Sequence, residues 1–400
     1  MNPSINSTDL ETAVKTVSKG LSLTRSANTL NICYKDGAVL VRGCDNYLST
    51  VLSFTLSTVP NGGFDPWEVN VNFRQFKDAV GCFPKEIPLS LSLETEGDRT
   101  FLTLTSVSGK NRVVACEPEL QISPFIFEEA SCYKPGDGMS WELPPELFTE
   151  MVKNAAFAAS SDLCKQALAG VNFNFSSNGL EVSGCDGHRL SEFSLPIEGC
   201  GDEGSMVITA KPLREFASLL KKQNHNPVTI ESHTQQSKKR YCSGKRLSLS
   251  FNYRGSKVLY SQGETSSYPH TKQLIPDRFN GSFLVGQKEL LEELDQVSKV
   301  VKHGNNTVIL DVKPEGVIRA IAHVKEADDA TYEGDVRCAA DTDGVRIGFN
   351  VRYLIDFLKL PVVKGQTVKF SHNSPTNPAV LTVEGCGNLH YLVMPVQIRS

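Results

Sequence analysis

No run of apolar side chains in the 400 residues is long enough to span a bilayer, and Met1 to Leu10 lacks a basic stretch followed by an apolar one. The chain is therefore expected to be neither membrane-spanning nor secreted, and is placed in the cytoplasm. The eleven cysteines, scattered from Cys33 to Cys386, include no Cys-x-x-Cys pair. Such an odd, unclustered set argues against a disulfide framework and a zinc site, and most of these thiols are expected to be small core residues. Gly-x-x-x-x-Gly-Lys-Ser/Thr, His-Glu-x-x-His and Gly-x-Ser-x-Gly are all missing, and the eight histidines are dispersed. No cofactor and no metal is expected. An excess of positive charge is missing too, since 41 basic against 45 acidic residues give −4. Net charge, however, does not say where the basic residues sit.

What is present is a soluble composition, 40% hydrophobic and 22% charged, long enough for two to four domains. It is organised around a repeat. Gly-Cys-Asp occurs at Gly43 and again at Gly184, in both places after an alternating apolar run with a glycine turn (Asp36-Gly37, Asn178-Gly179) and before a second such run. That is the pattern of a hairpin, met twice. Apolar spacing predicts a helix from Ser7 to about Lys19, a strand Trp67 to Asn72 and a helix Phe73 to Val80. The same order returns as a helix Glu146 to about Ala159, the hairpin about Asn178-Gly179, and a helix Pro212 to Leu220 with proline at its first position. It returns again as a helix Lys288 to about Lys302, a hairpin about Pro314-Glu-Gly316 and a helix Val351 to Leu358. Phe76, Phe216 and Phe357 hold one place in the second helix of each copy and fix the period near 140 residues. The expected fold is α+β, three tandem copies of two helices packed on antiparallel sheets, with boundaries 1–138, 139–279 and 280–400.

Two chemistries compete at the second Gly-Cys-Asp. Cys185 and His188 could act as nucleophile and base, or could be a buried thiol and a surface imidazole; catalytic Cys and His normally come from distant sequence, which favours the second. Basic residues recur on the predicted helices: Lys15, Arg74, Lys77, Lys153, Lys211, Arg214, Lys299, Lys302 and Arg352. Taken singly they are solvated helix faces. Gathered on one side they would form a stripe for phosphate contact without base reading. The tail Leu392-Val-Met-Pro-Val-Gln-Ile-Arg-Ser400 is apolar, with a methionine of the kind that suits adaptable surfaces.

Asp186-Gly-His-Arg-Leu190, Ile347-Gly-Phe-Asn-Val351 with Tyr353, and Tyr391-Leu-Val-Met-Pro395 resemble three signature stretches of the bacterial DNA polymerase III beta subunit, the replicative sliding clamp. The resemblance implies a head-to-tail homodimer closed into a ring around double-stranded DNA, not itself an enzyme, with a pocket for short linear motifs of polymerase, ATP-dependent loader and repair proteins. Carried over, that pocket uses Leu168, Cys185, Gly187, His188, Arg189, Leu190, Pro269, Leu274, Asn350, Tyr353, Val393, Met394, Pro395 and Val396. Cys185 stands where the family usually has Thr, and Gln273 where Arg is frequent. DNA contacts fall to Arg25, Lys153, Lys165, Gln166, Lys211, Lys299 and Lys302. The ring contact pairs Arg112, Val113 and Val114 with Val300 and Val301. The rival expectation is a β-rich nucleic-acid-binding or scaffold protein that uses this repeat without encircling DNA.

Overall fold

A computed structural model of the protein describes residues 2–20, 29–45, 50–57, 65–116, 140–162, 164–165, 167–197, 204–220, 227–235, 244–253, 256–263, 268–302, 304–324 and 330–398. Arg25 and Gln166 lie outside the described residues. Among those described, six α-helices and 24 strands follow one order three times: strand, helix, three strands, strand, helix, three strands. The helices are α1 (Ser7–Gly20), α2 (Phe73–Gly81), α3 (Pro145–Ala156), α4 (Ala210–Leu220), α5 (Gln287–Val301) and α6 (Val351–Leu358). None is long and apolar enough to cross a membrane.

Local chemistry explains where these helices start. Asn72 caps α2 by accepting the Arg74 and Gln75 amides on its side-chain oxygen (3.0 and 3.3 Å), and Asn350 caps α6 by accepting Arg352 N–H at 3.0 Å. Each helix then buries one stripe: Phe76, Ala79 and Val80 in α2, and Leu290, Leu294, Val297 and Val301 in α5. Two expected boundaries shift. Helix α4 begins at Ala210, so Pro212 is its third residue, which the first turn tolerates because its N–H groups have no partner within the helix. Helix α3 ends at Ala156, where Ala158 and Ala159 donate to Ala155 and Ala156 in tighter turns.

Two compact units make up the chain, Met1–Glu150 with Ile208–Thr265 and Met151–Val207 with Ser266–Ser400. In the first, α1 packs on α2 and α4, and Phe148 meets Phe216 edge-on at 5.7 Å. Its eight-stranded sheet joins strands of the first and second copies where Thr50–Ser57 pairs antiparallel with Ser256–Gly263. A four-stranded sheet ends in Gly109–Val114. The second unit holds a twelve-stranded sheet, joined in the same manner where Arg189–Leu195 pairs with Cys386–Val393. Each junction thus sets the fourth strand of one copy against the last strand of the next.

The recurring glycine has a packing reason. A Cβ on Gly184 would come within 2.1 Å of the Ala155 carbonyl oxygen, so only glycine lets the end of α3 rest on this strand. Gly184→Ala is expected to destabilise the protein by about 2 kcal/mol through overpacking. An unchanged denaturant midpoint would contradict that. The cysteines depart from expectation: of the seven described, Cys33 and Cys185 are buried, Cys82 and Cys164 exposed, and Cys116, Cys338 and Cys386 intermediate.

Candidate functional site

The second copy's hairpin places the site. Strands Gly179–Cys185 and Arg189–Leu195 are joined by a turn in which Gly187 takes φ +95°, a conformation that favours glycine. Asp186 organises the turn: its Oδ1 accepts the His188 and Arg189 amides at 2.9 and 3.1 Å, and its Oδ2 accepts Arg189 Nε at 2.9 Å. The guanidinium also donates through Nη1 to Asp356 Oδ2 on α6 at 2.7 Å and lies over the Tyr353 ring, 4.5 Å from its centroid. Burial disfavours its charge, but the Tyr391 phenol, Asp356 and Asp186 more than offset this and hold the pKa above the usual arginine value. One side chain thereby ties the hairpin turn to α6.

Beneath it lie aromatics. Tyr391 stacks on Phe357 at 4.9 Å and packs against Phe157 at 5.3 Å, while its hydroxyl donates to the Tyr353 carbonyl at 3.0 Å. The chain end forms the adjoining wall. Val393 pairs with Arg189, Met394 N–H donates to the His188 carbonyl at 2.8 Å, and Val396 N–H donates to that of Gly348 at 2.8 Å. Met394 is left 39% exposed.

Next to this wall Cys185, Leu190, Val380 and Leu392 form a buried apolar cluster, against which Leu168, Tyr268 and Ile275 pack. Pro269 and Leu274, both exposed, flank Tyr268 and Ile275 on the same segment. The structure therefore gathers Leu168, Cys185 and Leu190 in one apolar patch, and ties Gly187, His188, Arg189, Tyr353, Val393 and Met394 into the wall beside it. Asn350 is at the α6 cap, its side chain occupied by the Arg352 amide, and Pro395 precedes the Val396 bridge. Val380, Tyr268, Ile275, Leu392 and Asp356 belong to the same constellation, and none was singled out as a site residue from sequence. The available signal was the alternation Cys185, Leu190, Leu392, which puts these side chains on one sheet face. An apolar patch beside charged and aromatic anchors suits an extended peptide with a few apolar side chains.

The nucleophile reading fails on electrostatics. Burial pushes the Cys185 thiol up despite the Gly187 N–H that its sulfur accepts at 3.3 Å, the reverse of an activated thiolate. His188 is exposed on the turn.

The same sheet face carries Glu192, 8% exposed, whose carboxyl is pushed up to about 7 by burial first and by Glu181 second, with Lys272 opposing. A raised carboxyl favours the folded state while protonated, and that contribution is lost as pH rises from the unfolded carboxylate range through about 7. Glu192→Gln is thus expected to melt like the parent at pH 4 and to gain on the order of 3 kcal/mol over it at pH 8. Equal melting of the two proteins at both pH values would contradict the assignment.

The remaining expected residues are dispersed. Lys165, Lys211, Lys299 and Lys302 are exposed and Lys153 is half-buried, while Lys299 Nζ donates to Gln296 at 2.9 Å. Arg112 pairs with Glu96 at 2.9 Å and lies 4.0 Å over Phe101. Val113 and Val301 are already buried within the chain, at 3% and 0% exposure; Val114 is 41% exposed and Val300 partly so.

Comparison with known proteins gives a consistent result. Residues 142–243 match the DNA polymerase III beta subunit, central domain, and residues 272–397 match its C-terminal domain. The beta sliding clamp of Synechocystis is 28% identical over 361 residues, covering 86% of this chain and 85% of that protein. The Bacillus subtilis beta sliding clamp is 24% identical over 259 residues, 64% of each. Among solved structures, the DNA polymerase III beta subunit of Thermotoga maritima superposes over the full length of both chains with a TM-score of 0.80 at 21% identity. The DNA polymerase sliding clamp of Bacillus subtilis does so with a TM-score of 0.77 at 19% identity. With two successive domains of one family matched and the whole fold shared, the chain belongs to the DNA polymerase III beta subunit family, the beta sliding clamps.

Proposed function

We propose that the protein is a processivity factor that encircles double-stranded DNA as a head-to-tail homodimer, with three domains per copy at 1–138, 139–279 and 280–400. Its partners are a replicative polymerase, an ATP-dependent loader and repair proteins, and its compartment is the cytoplasm. The groove beside Arg189 and Met394 takes short peptide segments of these partners. As a processivity factor it performs no chemistry and tethers the enzyme that does.

The observation that carries the ring is the arrangement of strand edges. Within the chain, a fourth strand meets a last strand twice, at Thr55 with Lys257 and at Arg189 with Val393. The equivalent fourth strand of the last copy is Ala330–Asp341, and the equivalent last strand of the first copy is Gly109–Val114. Among the described residues, Gly109–Val114 is terminal in its sheet, and the stretch from Thr331 to Arg337 pairs only with Val317–Val324. A second copy supplies both missing partners by one repeated contact, and two such contacts close. The charges suit it: Lys110 and Arg112 on one strand, Glu333 and Asp335 on the other. The exposed lysines named above would then supply sequence-independent phosphate contacts. Sedimentation at micromolar concentration tests the assembly: twice the chain mass is expected, and a pure monomer would favour the non-encircling scaffold.

A further inference from the structure

On the outer face of the twelve-stranded sheet, the apolar patch has a polar neighbour. Across successive strands Asn172 faces Ser183, Ser183 faces Glu192, Glu192 faces His390, and His390 faces Thr382. Alternation along each strand puts this polar row on the same face as Cys185, Leu190, Leu392 and Val380, two residues and therefore roughly 7 Å away. Among the described residues two of its acceptors have no hydrogen-bond partner, Glu192 Oε2 and Asn172 Oδ1, and Glu192 is more than nine-tenths buried. A buried acceptor without a donor is costly, and one beside a ligand groove is relieved when the ligand brings the donor.

The surrounding charge says which donor. Glu181, one row further, takes a long bond from Asn174 at 3.5 Å, and its Oε2 is 3.6 Å from Lys272 Nζ. The Lys272 side chain is 70% exposed, so this pair is loosely held and readily exchanged. Tyr268, whose hydroxyl donates to the Ser183 carbonyl at 3.3 Å, and Lys272 belong to the segment that lies over the row. Besides these, the groups facing Glu192 are His390 on the neighbouring strand and, beyond Thr382, Lys369.

We propose that this row is a subsite of the groove that takes a cationic side chain of the bound peptide, guanidinium or ammonium, with Glu192 and Asn172 as its acceptors and Lys272 displaced. The proposal rests on the reading of the apolar patch as a peptide groove. A long side chain entering past Leu190 keeps its stem on the apolar patch and its charge at the row. The carboxyl of Glu192, protonated below about pH 7 in the empty groove, ionises when the cation arrives, so binding gains strength with rising pH.

The test uses the full-length protein and two fluorescein-labelled octapeptides that differ in one residue, one carrying Leu-Leu-Phe and the other Arg-Leu-Phe, with anisotropy read at pH 6 and pH 8. About tenfold tighter binding of the arginine peptide is expected at pH 8, with a smaller ratio at pH 6. In Glu192→Gln, and more weakly in Glu181→Gln, that ratio falls toward one, with thermal melting showing that each variant is folded. Equal binding of the two peptides at pH 8, or a ratio that Glu192→Gln leaves intact, overturns the subsite while the groove stands. Failure of both peptides to bind removes the groove itself and the subsite with it.

Discussion

Deletion of residues 394–400 is expected to weaken capture of a partner peptide at least 100-fold, about 2.7 kcal/mol, while moving the unfolding midpoint little. Met394 is 39% exposed, and the backbone beyond it is tied by Met394 N–H to the His188 carbonyl and Val396 N–H to that of Gly348. The tail therefore adds little to the core and much to the groove wall. A cut after Tyr391 is a poorer experiment. It would also remove Leu392 and Val393, which are buried and pair with Leu190 and Arg189, so lost binding and lost stability would coincide. Titration of a labelled peptide into the shortened protein decides the matter, and full affinity would place the peptide elsewhere.

The double variant Arg112→Glu with Val114→Asp is expected to sediment as a monomer where the parent is a dimer, a loss of 100-fold or more in association. Both positions are on the terminal strand Gly109–Val114, and the substitutions set new carboxylates against a strand that already carries Glu333 and Asp335. Like charges placed across a strand pair are unfavourable, and here they are repeated at both contacts of the ring. Because Arg112 also pairs with Glu94 and Glu96, a thermal melt must show that each copy remains folded. A variant that still sediments as a dimer would shift the ring contact to other surfaces.

The parts of the fold legible in sequence are those in which one physical rule dominates. The strand Trp67–Asn72 and helix α6 fall within the residues expected, because a capping asparagine and a strict apolar period mark them without help from the rest of the chain. Strands Ser4–Asn6, Ser140–Leu143, Gly281–Gly286 and Ala330–Asp341 were not legible. The first two are too short to show a period. Ala330–Asp341 has Glu333, Gly334 and Asp335 in place of apolar alternation; its pairing comes from Val317–Val324 and, at residues 338–341, from Gly281–Gly286.

The site divides along the same line. Arg189, Tyr353 and Met394 were legible through the signature stretches that contain them. Asp356, Tyr268 and Val380 were not, since their places depend on which strand lies beside which, and register is a tertiary property. Glu192 shows the point most plainly. In sequence it is an ordinary exposed-looking carboxylate within Arg189–Leu195, and its burial depends on the strands that pair on either side and on the segment of Tyr268 and Lys272 laid over them.

The most direct test is retention on DNA. The purified protein, placed on nicked circular DNA by a loader, is expected to stay through a high-salt gel-filtration column and to leave promptly once a single cut linearises the circle, because it is held by topology and its phosphate contacts are screened. Equal loss from circle and linear DNA would contradict the encircling ring.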